Sequence, residues 1–404
     1  MRLNGKKLRL IQLGIIMCLT FPISGCWNYF ELNELSFVTA IGYDQGSHYP
    51  YRLTFQVMNP NNMVQQPIGG SGKGGSPITV YTGEGNNIIE AIQNASNKIS
   101  RHMNFSHTQI IVIGEALARK GIATIFDVKE RSMEGRINVP ILIARGTTAE
   151  NVISALTPLD QIPAYNLAQK VLITEGTPSK ALNLIENDVV SILSTPGIDL
   201  VLSGVELSNN GKKATEQQSF QSTSPPLLAI SKMGLFKKDK LVSWINNSAA
   251  IGTIFLLDKM KHGTFSINCK NKPSKVAIQI NYSKTKVEAS MVHGTPTFHI
   301  TVRTNGDIKE TECPLNLEDP KVLNMLGKQS AKKIGEFIQS AIHAAKQVKT
   351  DVFGFGQAIH RASPQSWNKL KNHWDDLFTK AKVNLDIFVN ITDSGLRKKP
   401  YEFK

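Results

Sequence analysis

Long apolar runs are almost missing from this 404-residue chain. Only residues 10–23 form one, and about fourteen residues fall short of the roughly 20 that a membrane-crossing helix needs. A polytopic membrane protein is thereby excluded. Cysteine is scarce too, with four in all, too few for a disulfide framework in a chain of this length. Acidic residues are outnumbered, 32 against 46 Lys and Arg, which leaves a formal charge of +14. Catalytic signatures are missing as well: there is no G-x-S-x-G elbow, and no cysteine in a nucleophile setting. His102 and His107 are five apart and His293 and His299 six, neither being the spacing of a helical ligand pair. His360 and His373 read as packed or surface imidazoles, and neighbouring Asp375 and Asp376 would point about 100° apart on a helix, so they share no site. The expectation is a protein that is not an enzyme and holds no cofactor or metal.

What is present begins at the N-terminus. Arg2, Lys6, Lys7 and Arg9 precede the apolar run, and small residues follow it in Ile23-Ser24-Gly25-Cys26. A charged start, a short apolar core and a small-residue exit make a secretory signal. The exit is the pattern at which bacteria attach diacylglycerol to a cysteine sulfur and cleave before it. Residues 1–25 therefore read as a lipoprotein signal peptide and Cys26 as the lipid-attachment residue (N-palmitoyl, S-diacylglycerol). Everything after Cys26 then lies outside the cytoplasm, which argues against nucleic acid as the partner of the remaining +10 charge; phospholipid head groups, an acidic polymer, or a dispersed excess that serves solubility alone are the readings left open. Cys18 leaves with the signal. Cys269 and Cys313 remain and are read as two buried small hydrophobes in strands, with a bridge as the alternative.

Length and patterning indicate several domains of α+β class, with helices packed on mixed sheets. Residues 26–205 alternate strand and helix: Phe37 to Asp44, Tyr51 to Met58, the buried run Ile110-Ile111-Val112-Ile113 and Val139 to Ala144 are strands. A helix capped by Asn87 and Glu90 lies between, and Thr147 and Glu150 cap another. Gly70, Gly72 and Gly75 formally satisfy G-x-G-x-x-G, yet Ser76-Pro77 leads into a strand instead of a helix, so no phosphate loop is inferred. Residues 206–260 are expected to form a small middle domain whose strands turn at Lys237-Lys238-Asp239-Lys240. Residues 261–404 begin with alternating strands, with Asn305-Gly306 as a hairpin turn. A long helix follows from Asp319-Pro320 to about Val348, and the last strand alternates from Val383 to Ile391.

Three stretches carry a family resemblance. Cys26-Trp27-Asn28 with Glu31-Leu32-Asn33 opens the mature chain. Gly234-Leu235-Phe236-Lys237-Lys238-Asp239-Lys240-Leu241-Val242, with Trp244 beyond it, forms the hairpin. Asp351-Val352-Phe353-Gly354-Phe355-Gly356, continuing through His360-Arg361 to Pro364, Trp367, Leu370 and Trp374, closes the set. Together they resemble the Ger(x)C lipoproteins, the C subunits of GerA-type nutrient germinant receptors in endospore-forming bacteria. The resemblance implies a lipid-anchored subunit on the outer face of the inner spore membrane, working with polytopic A and B subunits. A lipid-anchored solute-binding protein is the alternative reading. Phe353 and Phe355 are expected in the core.

Overall fold

The computed structural model describes residues 30–59, 76–132, 135–157, 160, 162–174, 182–208, 228–269 and 275–393, with Arg9 and Gly14. The rest of the signal segment, Cys26, the glycine-rich residues 69–75 and the basic tail after residue 393 lie outside the described residues. Among the described residues no helix is long and apolar enough to cross a membrane.

The first sheet has nine strands: β1 (Leu35–Asp44), β2 (Tyr51–Met58), β3 (Ile78–Gly85), β4 (His102–Asn104), β5 (Ile110–Gly114), β6 (Ile141–Ala144), β7 (Val201–Leu207), β8 (Leu228–Lys237) and β9 (Lys240–Ile245). Their order is β3-β2-β1-β5-β6-β7-β8-β9, with β4 beside the start of β1. The central pairs β1/β5, β5/β6 and β6/β7 are parallel and the outer pairs antiparallel. Parallel strands need crossovers, and the helices that make them cover both faces. That is why β5 and β6 read as unbroken apolar runs. Ile111, Ile113, Ile141 and Ile143 enter one core with α1 (Ile88–Ser96), α2 (Glu115–Lys120), α3 (Ala123–Ser132), α6 (Glu186–Ser194) and α7 (Asn247–Leu256). Ile110, Val112, Leu142 and Ala144 enter a second with α4 (Ala149–Ser154) and α5 (Pro163–Thr174).

Helix starts follow local chemistry, sometimes one residue from the expected place. Asn87 accepts from the Glu90 amide at 2.9 Å, whereas the Glu90 carboxylate returns to Asn86 N at 3.0 Å and not to Asn87. Thr148, not Thr147, caps α4 by accepting from Asn151 N.

The second sheet runs β10 (Gly263–Asn268), β11 (Lys275–Val292), β12 (Thr295–Thr311), β13 (Lys382–Asp393), with only β12/β13 parallel. Its hairpin does not turn at Asn305-Gly306. The turn is His293-Gly294, where φ is +49° and +77°, the left-handed pair a two-residue connection needs. Gly306 lies inside β12 opposite Ile280, where a Cβ would stand 2.9 Å from Gln279 O. It serves close strand approach. Helix α8 (Pro320–Gln347) is capped by Asp319, which accepts from Lys321 N at 2.8 Å, and lays Leu326, Ile334, Phe337 and Ala341 in the core shared with α7 and β13. Three short helices, α9 (Phe355–Ala362), α10 (Pro364–Leu370) and α11 (Trp374–Lys380), lead to β13.

One expectation changes in this half. Cys269 and Cys313 are disulfide-bonded, with Cα atoms 6.3 Å apart, and both lie just past strand ends. The register explains the meeting: Asn268 pairs with Lys275 and Val276 with Thr311, so the ends of β10 and β12 flank the same point of β11. Of the segment 206–260, β8 and β9 complete the first sheet while α7 packs against α8.

Candidate functional site at the junction of the two sheets

The three stretches that carry the resemblance lie far apart in sequence. Two of them meet in space. Helix α6 ends at Ser194, and Thr195-Pro196-Gly197 breaks it before β7. Gly197 has φ +81°, and a Cβ there would stand 2.7 Å from the Gly356 carbonyl carbon and 2.9 Å from the Trp367 ring. Only glycine allows that approach. Gln357 N donates to Gly197 O at 2.9 Å, so the break in the first half is stitched to the start of α9 in the second.

Asp351 is the centre of this contact. It lies four residues past the end of α8, is 2% exposed, and accepts from Phe355 N at 3.0 Å, Gly356 N at 2.7 Å and Trp374 Nε1 at 3.0 Å. The carboxylate thus takes up free amides at the N-terminus of α9. Its backbone is bound as well: Asp351 N donates to Asp199 Oδ2 at 2.9 Å, and Asp199 N donates to Asp351 O at 2.8 Å. Asp199 also accepts from Lys238 N at 2.9 Å and Lys237 Nζ at 3.0 Å, and Lys237 reaches on to Asp375 at 2.6 Å. Lys237 of the hairpin therefore bridges a carboxylate from each half. Lys238, in the same turn, has φ +55°.

The charges are set by burial and partners. Burial pushes the Asp351 carboxyl up to about 7, with the Asp199 charge adding to the rise and three N–H donors opposing it. For Lys237, burial weighs against the charge, but the hydrogen bonds and charges of Asp375 and Asp199 outweigh it and hold the ammonium above its ordinary value. Aromatic rings close the interior side. Phe355 stacks on Phe298 at 4.3 Å, and Trp374 stands edge-on to Trp367 at 5.5 Å. Phe353 and Phe355 are both buried, so they are core residues. Outside this wall lies a cleft of about 560 Å³, lined among others by Lys237, Lys238, Asp239, Lys371 and Asp375.

The remaining singled-out residues stand elsewhere. Trp244 donates to Glu115 Oε1 at 3.0 Å under the Arg145 guanidinium. Asp376 pairs with Lys349 at 2.7 Å, away from the Lys237 partner Asp375. His102 and His107 contact Phe30 and Phe37, His293 sits in the hairpin turn, His299 pairs with Asp386 at 3.0 Å, and His360 lies against Trp367. Among the described residues no three His, Cys, Asp or Glu side chains converge as a metal site would require. Asp199 is the junction residue that sequence reasoning missed. Its only local signal is its place two residues after a Pro-Gly helix break.

Two family models match the chain: "Spore germination protein N-terminal domain" over residues 28–207 and "Spore germination B3/ GerAC like, C-terminal" over residues 231–395. Spore germination protein KC of Bacillus subtilis is 31% identical over 97% of this chain and 98% of that protein. Spore germination protein B3 of the same organism is 24% identical over 95% and 98%. The crystal structure of the GerBC protein shares the α+β fold, with a TM-score of 0.54, 19% identity and coverage of 87% of this chain and 96% of that one. Matched at both ends, with motif residues Asp351 and Lys237 meeting at the junction of its two sheets, the chain belongs to the Ger(x)C family of spore germination proteins.

Proposed function

We propose that this protein is the lipid-anchored C subunit of a nutrient germinant receptor. It sits on the outer face of the inner spore membrane and assembles there with polytopic A and B subunits to support nutrient-triggered germination. The observation that carries the reading is full-length similarity to spore germination protein KC, with both family models in one chain. The role is assembly and positioning, not catalysis. Acyl chains on Cys26 contribute roughly 0.8 kcal/mol per buried methylene, and confinement to the membrane plane raises the effective concentration beside membrane partners.

Gene deletion tests the proposal: spores lose refractility normally in most nutrients and fail in one set, and a Cys26→Ala strain fails in the same set. Unchanged responses to every nutrient, in a strain lacking other receptor genes, contradict it. A second reading, a lipid-anchored solute-binding protein, draws on the 560 Å³ cleft at the junction. The two halves differ in strand number and pairing, so the cleft does not lie between similar lobes. A ligand-dependent rise in melting temperature of the purified chain would favour this reading.

A further inference from the structure

We infer that the protein stands on the phospholipid surface with one defined end of its first sheet, the end at which β1, β5 and β6 begin, in contact with lipid. The inference rests on the reading of Cys26 as the lipid-attachment residue.

Chain geometry supplies the first argument. Phe30, where the described body begins, is four positions after Cys26, and four residue steps span at most about 14 Å. If acyl chains on Cys26 are in the bilayer, Phe30 lies within that distance of the interface. Because β1, β5 and β6 are mutually parallel, the segments before each of them, residues 30–34, 105–109 and 135–140, gather at the same end.

The surface chemistry of that end supplies the second. Leu32 is 75% exposed, Ile137 63% and Phe30 43%, although each of these side chains would gain by leaving water. Phe30 is braced by the His102 ring at 4.3 Å, and β4, which carries His102, pairs with the start of β1. Gly135 places its segment beside Phe105. Arg101 and Arg136 are exposed on the same end, where guanidinium groups suit phosphate oxygens. Of the carboxylates near this end, Glu31 and Glu34 are turned into their own helical turn, Glu34 accepting from Glu31 N at 3.1 Å and Glu31 from Asn33 Nδ2 at 3.2 Å. Glu186 pairs with Lys129 at 2.8 Å and Asp188 accepts from Ile185 N at 3.2 Å, while Glu130 is exposed. Apolar tips flanked by guanidinium groups fit a headgroup layer. The opposite end, marked by the β1–β2 connection with Tyr49, then faces away from the membrane.

The test uses the mature chain from Cys26 onward. With Cys269 and Cys313 disulfide-bonded, Cys26 is the one free thiol and can be coupled to a maleimide phospholipid in vesicles of phosphatidylethanolamine and phosphatidylglycerol in equal parts. Benzoylphenylalanine replaces Leu32, Ile137 or Tyr49 in turn, and the vesicles are irradiated. The expected result is lipid adducts at positions 32 and 137 and their loss at position 49. No adduct at 32 and 137 in vesicle-bound protein, or equal adducts at all three, overturns the proposal. Because attachment here is chemical, this outcome is independent of biological lipidation. That is read separately, from the mass of the N-terminal peptide of protein extracted from spores, where an unmodified Cys26 contradicts the anchor itself.

Discussion

The two sheets solve the problem of burying apolar strands in opposite ways. The centre of the first is parallel and covered on both faces, so neighbouring side chains such as Ile111 and Val112 point into different cores and both are fully buried. The second is mainly antiparallel and covered on one face by α8, so β12 alternates buried with more exposed residues and β13 alternates half-buried with exposed ones. The central strands β5 and β6 therefore tolerate a charge at no position, whereas β12 of the second sheet tolerates one at every other position.

Charge substitutions sharpen this contrast most. Ile111→Asp and Val112→Asp are each expected to cost more than about 4 kcal/mol and to abolish a cooperative unfolding transition, because both place an unpaired carboxylate in a dry core. Val302→Asp in β12 should do the same. Equal loss at Ile111 and Val112, seen by circular dichroism in urea, distinguishes two covered faces from one.

The junction between the sheets comes next. Asp351→Ala strips the acceptor from three N–H groups and should destabilise by about 3–5 kcal/mol, measured as a fall in denaturation midpoint. Cys313→Ser removes a cross-link confined to the second half and should cost about 2–4 kcal/mol. A reducing agent should lower the melting temperature of the natural chain alike and leave the variant unmoved.

A pH effect follows from Asp351, whose folded carboxyl is raised to about 7 from an unfolded value of about 4. Folding holds the proton that the unfolded chain releases. Its contribution to stability is therefore fully present below about pH 4 and is lost as pH rises through about 7. Thermal unfolding across that window should show the decline in the natural chain and a flatter profile in Asp351→Asn. The smallest effect is expected on the open face of the second sheet: Phe388, 53% exposed, should accept Asp within about 0.5 kcal/mol.

The same contrast decides what was legible in the sequence. The runs at residues 110–113 and 141–144 and the alternation from Val383 to Ile391 announce strands, because burial on two faces or one writes itself into composition. Helix starts at Asn87 and Asp319 are equally local. Asn305-Gly306 misled because a glycine needed for close strand approach has the same letter as one needed for a turn; the real turn, His293-Gly294, lacks the common Asn or Asp. The disulfide was illegible since it depends on the register of three strands. At the junction, the aromatic and glycine motif was visible, and the burial of Phe353 and Phe355 with it. The partner of Asp351 was not, because Asp199 is 152 residues away and nothing local marks an aspartate as the receiver of a distant amide.

The last strand has a consequence for the order in which the molecule can be made. β13 pairs with β12 along nearly its whole length and supplies part of the bed on which α8 lies, yet it is the final described element of the chain. Until it emerges, the apolar stripe of α8 has no finished surface to rest on, and β12 presents an unpaired edge. Contacts this distant in sequence close slowly. The second half therefore remains incomplete until β13 has been made, a delay that suits a chain read as bound for export. A chain ending at residue 381 should keep the helices of its first half and fail to fold cooperatively in the second, which limited proteolysis would reveal as a resistant N-terminal fragment.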